Sequence, residues 1–267
     1  MQLTPRLFAS QVRKAAETLG VPLPTSLVEQ LDHADNLAHT AETMLGDAGD
    51  LNEAVLDAIE AGRDFHTDKT VQRRALERML ANQGHGIAEA ARQRSLQQKR
   101  AALVEHADDV LDDWDVALEP HTVALTAAVA ALRVDNLDNV QDVITQGTDA
   151  VQHWTNAKRS LAMWSAAVQG FAGFADAARV DYSEHRVQIL TDVDAAALAP
   201  AWQTARSEST RQLDAWILAR HGIPLSLATI AEFRTRTAAF DDAAEGMAYI
   251  DEEQRDANRG PKVTILR

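Results

Sequence analysis

Residues 87–118 read IAEAARQRSLQQKRAALVEHADDVLDDWDVAL, a stretch with neither proline nor glycine. Within it Leu96, Leu103, Ala107, Val110, Trp114 and Ala117 recur at steps of seven, four, three, four and three, so their side chains fall on one face of an α-helix. At 1.5 Å per residue the stretch forms a rod of roughly 45 Å. A second and longer helical run spans Leu137 to Ala178. In it Val140, Ile144, Gly147, Val151 and Trp154 hold a heptad, which resumes through Ala157, Leu161, Trp164, Val168 and Phe171. Two consecutive steps of three, Val151 to Trp154 to Ala157, make a stammer that would overwind a coiled coil there. Between the two runs, Pro120 is expected to start a fresh helix through Val129 and Leu132. The predicted fold is therefore all-α, a helical bundle with a long antiparallel coiled-coil-like helical hairpin.

Shorter helices flank the hairpin. Thr4 and Pro5 mark a helix start, followed by Phe8, Val12, Ala15 and Leu19 and a stop at Gly20. Ser26 with Glu29 is a capping-box pair ahead of a strict four-three rhythm in Leu27, Leu31, Ala34, Ala38, Ala41 and Leu45. Asp50 with Glu53 opens a third helix that closes at Gly62, and a fourth runs from about Thr70 through Leu76 and Met79 to Gly84. Residues 180–192 are the least helical and are taken as a linker. Helix returns near Ala195, carries Leu198, Trp202, Ala205, Leu213, Trp216 and Ile217, and stops at Gly222. Ser226 is placed as the cap of a last helix with Leu227, Ile230, Phe233, Thr237, Phe240 and Met247 on its seam. This divides the chain into an N-terminal short-helix cluster (1–84), the long hairpin (85–180) and a C-terminal helical pair with a basic tail (181–267).

Composition agrees with helix and narrows function. The hydrophobic fraction is 46% with only 5% aromatic, so alanine, the strongest helix former, supplies much of it. A net charge of −14 repels phosphate backbones and anionic membranes, which makes nucleic-acid binding unlikely. With no cysteine there is no disulfide framework and no thiolate chemistry. The apolar patch from Ala124 to Leu132 is too short to span a bilayer, and Met1 to Ser10 lack the apolar core of a signal peptide. A cytoplasmic or virion location is expected.

Groups that could carry chemistry are few. Glu29, Asp32, His33 and His39 lie near one another in sequence, yet with Leu31 and Ala38 on the core seam they face outward. Neither a glutamate three residues before a histidine nor an HExxH pattern occurs. Glu105, His106, Asp108, Asp109, Asp112, Asp113 and Asp115 form the sharpest charge feature, a solubilising face or a docking stripe for a basic partner. Ser183, Glu184 and His185 hold the residue types of a hydrolase triad, but neighbours in sequence cannot aim at one point. Gly84-His85-Gly86 is expected to be a turn and Gly170-Phe171-Ala172-Gly173 a close-packing or flexible point. Residues 217–236 have the outline of a helix-turn-helix, with Arg234 and Arg236 on the second helix. The five tryptophans, Trp114, Trp154, Trp164, Trp202 and Trp216, are expected to anchor the core or an interface.

The function expected from these features is that of a non-catalytic structural or assembly protein with no cofactor and no metal, acting through protein partners and as a homo-oligomer or part of a larger assembly. In general character the chain is similar to bacteriophage scaffolding proteins: acidic, helical and cysteine-free, with a short basic C-terminal segment. The likeness is compositional and rests on no motif. It implies that Arg259, Lys262 and Arg267 steer toward an acidic partner, while Val263, Ile265 and Leu266 add a strand to it or fill a groove. The alternatives are a helical-bundle metalloenzyme and a helix-turn-helix DNA-binding regulator.

Overall fold

The computed structural model describes residues 6–46, 51–82, 84–208 and 212–241. Among these residues there are helices and no strands: α1 (Arg6–Leu19), α2 (Thr25–Gly46), α3 (Leu51–Glu60), α4 (Lys69–Asn82), α5 (Gly84–Ala131), α6 (Val140–Ile144), α7 (Thr148–Ala178), a 3-10 turn (Arg186–Ile189), α8 (Ala195–Ser207), α9 (Ala215–Arg220) and α10 (230–241). The helices belong to two compact units. One comprises Leu23–Glu105 together with the start of α1 as far as Ala9; the other comprises Ser10–Pro22 and the chain from His106 onward.

In the first unit, α2 buries Leu27, Leu31 and Ala34, the four-three seam expected of it, and α5 buries Ala102 and Leu103. Two charged side chains are buried with partners, as burial of charge requires. Lys99 is 8% exposed and pairs with Asp35. Asp68 is 9% exposed, accepts hydrogen bonds from the backbone N–H groups of Thr70 (2.8 Å) and Val71 (3.2 Å) at the start of α4, and pairs with Arg63 at 2.5 Å. Those donors, with the Arg63 charge, hold the Asp68 carboxyl below its ordinary pKa.

The second unit is built on the hairpin. The Trp114 and Phe174 rings lie 5.9 Å apart, and His121 Nδ1 lies 3.2 Å from Ser160 Oγ. Contacts thus move down α7 as they move up α5, and the pair is antiparallel. Ser160, Gly170 and Phe174 of α7 meet α5, and Ala157, Trp164, Ala167 and Phe171 are buried in the same four-three rhythm. Gly170 is a point of close approach. A Cβ there would stand 2.5 Å from Trp114 Cη2 and 2.7 Å from Ala15 Cβ, inside van der Waals contact.

Five sequence expectations are corrected. Pro120 lies inside α5 and starts no new helix. The long second run is two helices, because Gly147 takes φ +99° between α6 and α7, a conformation that L residues with a side chain rarely adopt. The heptad drawn through that break turns outward: Val140 and Ile144 are exposed and Val151 is 37% exposed, so no stammer is packed. Residues 180–192 are not a spacer, since Val187, Gln188, Ile189, Leu190 and Thr191 are buried. Finally, the helix expected from Ala195 to Gly222 is interrupted, and Asp214 caps a separate α9 by accepting from Ile217 N at 2.9 Å.

Candidate functional site

Two features of the second unit gather polar groups around an ordered backbone. The first is a non-helical segment, residues 223–229, between α9 and α10. Its backbone donors need partners, and it lies in no sheet. The acidic face of α5 supplies one of them, Asp115 Oδ1 accepting from Leu227 N at 2.6 Å, and holds the end of the segment where Asp108 Oδ1 accepts from Ile230 N, the first residue of α10, at 2.8 Å. Two more go to the 3-10 region, where Ser226 N donates to Leu190 O (2.9 Å) and Ala228 N to Ile189 O (3.0 Å). Arg236, with its side chain 9% exposed, closes the arrangement by donating to Gln188 O, Ser226 O and Ser226 Oγ. The cap of α10 is Thr229, in a reciprocal box with Glu232: Glu232 N donates to Thr229 Oγ1 and Thr229 N to Glu232 Oε2, both at 3.0 Å. Ser226, the expected cap, serves the strap.

This geometry removes the helix-turn-helix outline. The connection between α9 and α10, residues 221–229, is a pinned strap where that motif needs a three- or four-residue turn, and Arg236 is spent inside the fold. It also divides the acidic stripe. Asp108 and Asp115 hold the strap, while Asp109, Asp112 and Asp113 take no part in it and are exposed. The Asp112 carboxyl is raised above its ordinary pKa by desolvation and then by the neighbouring charges of Glu232, Asp108, Asp109 and Asp115. Asp115 is raised as well, chiefly by desolvation.

The second feature is an open pocket of about 440 Å³. Leu161, Trp164 and Val168 of α7 line one side, with Leu190, Trp202 and Leu213 completing the apolar lining. Leu161 and Val168, drawn on the hairpin seam in the sequence, line this pocket instead. The rim is polar, with Gln169, Glu184, Arg186 and Asp214, whose carboxyl desolvation raises above its ordinary pKa. Apolar walls with a few polar groups suit an amphipathic small molecule. The rim holds no assembled nucleophile: Ser183 Oγ donates to Asp181 Oδ1 at 2.7 Å, and His185 faces Asp241 at 3.6 Å. Ser183, Glu184 and His185 therefore do not converge.

The remaining sequence candidates divide by burial. Glu29, Asp32, His33 and His39 are exposed, as the α2 seam requires, and among the described residues no group of three or more His, Asp or Glu side chains could hold a metal ion. Trp114, Trp164 and Trp216 are buried core residues, while Trp154 and Trp202 are half-buried. Trp154 Nε1 donates to Leu137 O at 2.7 Å and Trp216 Nε1 to Asp135 O at 3.0 Å, so two tryptophans pin the connection after α5. The tail residues Arg259, Lys262, Val263, Ile265, Leu266 and Arg267 lie outside the described residues, as do Thr4, Pro5 and Asp50. No described helix is long and apolar enough to cross a membrane. One signal escaped the sequence reading: the net negative charge is not spread evenly, since nine of the 26 basic residues but only four of the 40 acids fall between residues 63 and 100. Compared with protein-family models, with curated proteins and with solved structures, the chain matches none.

Proposed function

We propose that the protein is a non-catalytic structural or assembly component, a scaffold-like part of a virion or capsid, acting through exposed helix faces and partner docking. The observation that carries this reading is large apolar side chains left in solvent on outward helix faces. Leu56 and Ile59 on α3, Leu76 and Met79 on α4, and Val116 and Val123 on α5 are each more than half exposed. On each helix the two side chains fall on one outward face, where a partner helix could cover them. In this reading the basic tail, residues 259–267, is a further docking element, and removing it abolishes capture by an acidic partner while leaving the melting temperature unchanged. Sedimentation velocity over a wide concentration range tests the core of the proposal. A mass rising with concentration is expected; a monomer at every concentration overturns it.

A second reading rests on the pocket. A small amphipathic anion with an aromatic body would place its rings against Trp202 and its charge near Arg186. Anilinonaphthalene sulfonate should bind with about micromolar affinity and lose most of it in Trp202→Ala. Equal binding by that variant would remove this reading.

A further inference from the structure

The asymmetry of charge along the chain has a structural counterpart in two outward helix faces. On α4, four basic side chains stand against one acid. Arg73 and Arg74 share Glu77, at 2.9 and 3.0 Å, so one carboxylate neutralises only one of two guanidinium groups. Lys69, Arg73 and Leu76, at i, i+4 and i+7, form an exposed row, with Met79 beside it. Basic groups come first along this row and apolar groups follow.

The outward face of α5 repeats the pattern with the opposite sign. Asp109, Asp112 and Val116, at i, i+3 and i+7, are exposed, with Asp113 alongside and Val123 continuing the row. Acids come first here and apolar groups follow. The surplus of negative charge is real at this face: Asp112 feels Glu232 and three other aspartates, and the strap uses only Asp108 and Asp115.

We infer that a second copy of this chain docks the Lys69–Arg73–Leu76 face of its α4, in parallel, on the Asp109–Asp112–Val116 face of α5. Both rows span seven residues, about 10 Å. One register therefore sets Lys69 over Asp109, Arg73 beside Asp112 and Asp113, and Leu76 over Val116. The ion pairs supply register and steering, and the apolar pair with Met79 and Val123 supplies burial. The contact joins two different surfaces, so each bound molecule leaves one basic and one acidic face free. Such a heterologous contact propagates as an open chain or closes as a ring. The inference deepens the assembly reading and rests on it.

Charge exchange tests it on the full chain. Wild-type association should weaken about tenfold or more between low and high salt, as screening of ion pairs demands. The variants Lys69→Glu/Arg73→Glu and Asp109→Lys/Asp113→Lys should each sediment as monomers, because each has two like-charged faces. Mixed together, they should associate again, since each supplies the face the other lacks, and the chain carrying all four substitutions should associate with itself at wild-type strength. Recovery in the mixture excludes misfolding as the cause of the losses. Association that persists in either variant alone, or a mixture that stays monomeric, overturns the pairing while leaving assembly through other faces standing. A wild-type monomer at every salt and concentration overturns both.

Discussion

Gly170 decides how closely α7 approaches its neighbours. Its missing side chain leaves room for the Trp114 ring, which is fully buried, and a Cβ standing 2.5 Å from that ring and 2.7 Å from Ala15 Cβ would leave no space for a methyl group. Gly170→Ala gains helix propensity worth about 1 kcal/mol, but overpacking a close-packed core costs about 1–3 kcal/mol. Because backbone and ring must both give, the larger cost wins, and denaturant unfolding should show a net loss of about 1–2 kcal/mol. An unchanged midpoint would mean that Trp114 has room to move. Asp112 presents the opposite case, a side chain the fold would be more stable without. Its folded pKa lies above the ordinary value, so its ionised form costs stability at neutral pH. Asp112→Asn should raise the melting temperature by about 1–2 °C in dilute protein at neutral pH. The gain should shrink as the pH falls through the raised pKa and vanish at the ordinary aspartate value, below which folded and unfolded chains are both neutral there. A gain independent of pH would assign it to something other than charge.

Among the elements, α5 carries the least expected feature, a proline within an unbroken helix. Pro120 cannot donate to the carbonyl of Val116 and its ring crowds that carbonyl, a cost of about 3 kcal/mol in a helix interior. The helix continues because its buried face, Leu111, Trp114, Leu118 and Leu125, lies on both sides of the proline and packs as one stripe. Pro120→Ala should therefore stabilise by up to about 3 kcal/mol in denaturant unfolding; a loss would show that the packing needs the bend the proline imposes. The strap is the other element with a clear dependence. Asp115→Ala removes an acceptor from a backbone N–H of the strap and Asp108→Ala one from the first N–H of α10, and each should cost about 1–2 kcal/mol, whereas the Asn variants, which keep an acceptor oxygen, should cost less. Equal losses in the Ala and Asn pairs would point to charge and not to hydrogen bonding. These elements also mark the limit of sequence reading. Helix type and the α2 seam were legible because four-three spacing needs only local geometry, and glycine stops at Gly20, Gly62 and Gly222 were legible for the same reason. The spacing carries Gly147 in a heptad because a positive φ leaves no mark on residue periodicity, and it reads residues 180–192 as a linker because what buries Val187 to Thr191 is tertiary. The partners of Leu227 and Ile230 are 112 and 122 residues away in the chain.

At the scale of the molecule the informative quantity is the balance of titrating groups, which the net charge of −14 conceals. The acidic stripe was visible in the sequence, but not that two of its members would be spent on a strap, nor that a basic face on another helix would answer the rest. The balance can be measured through stability against pH. His121 is held below its ordinary pKa by desolvation and by Arg159, so folding excludes a proton that the unfolded chain accepts, and stability declines as the pH falls through the ordinary histidine value. Asp112, Asp115 and Asp214 act with the opposite sign. Their pKa values are raised, so the folded chain takes up protons first, and stability rises as the pH falls from the raised values to the ordinary aspartate value. Asp68, Glu77 and Asp181 are lowered, and their contribution is lost below the ordinary carboxylate value. Thermal melts in dilute protein with moderate salt, chosen because the pI is near 5.0, should decline as the pH falls through the ordinary histidine value of about 6.5, pass a shallow minimum, recover toward the ordinary aspartate value of about 3.9 and fall steeply below it. In His121→Gln the minimum should disappear, and in Asp112→Asn the recovery should shrink. A wild-type curve that falls without interruption from neutral pH would mean that the three raised aspartates do not outweigh one histidine, and that the charge on the outer face of α5 is already neutralised within the monomer.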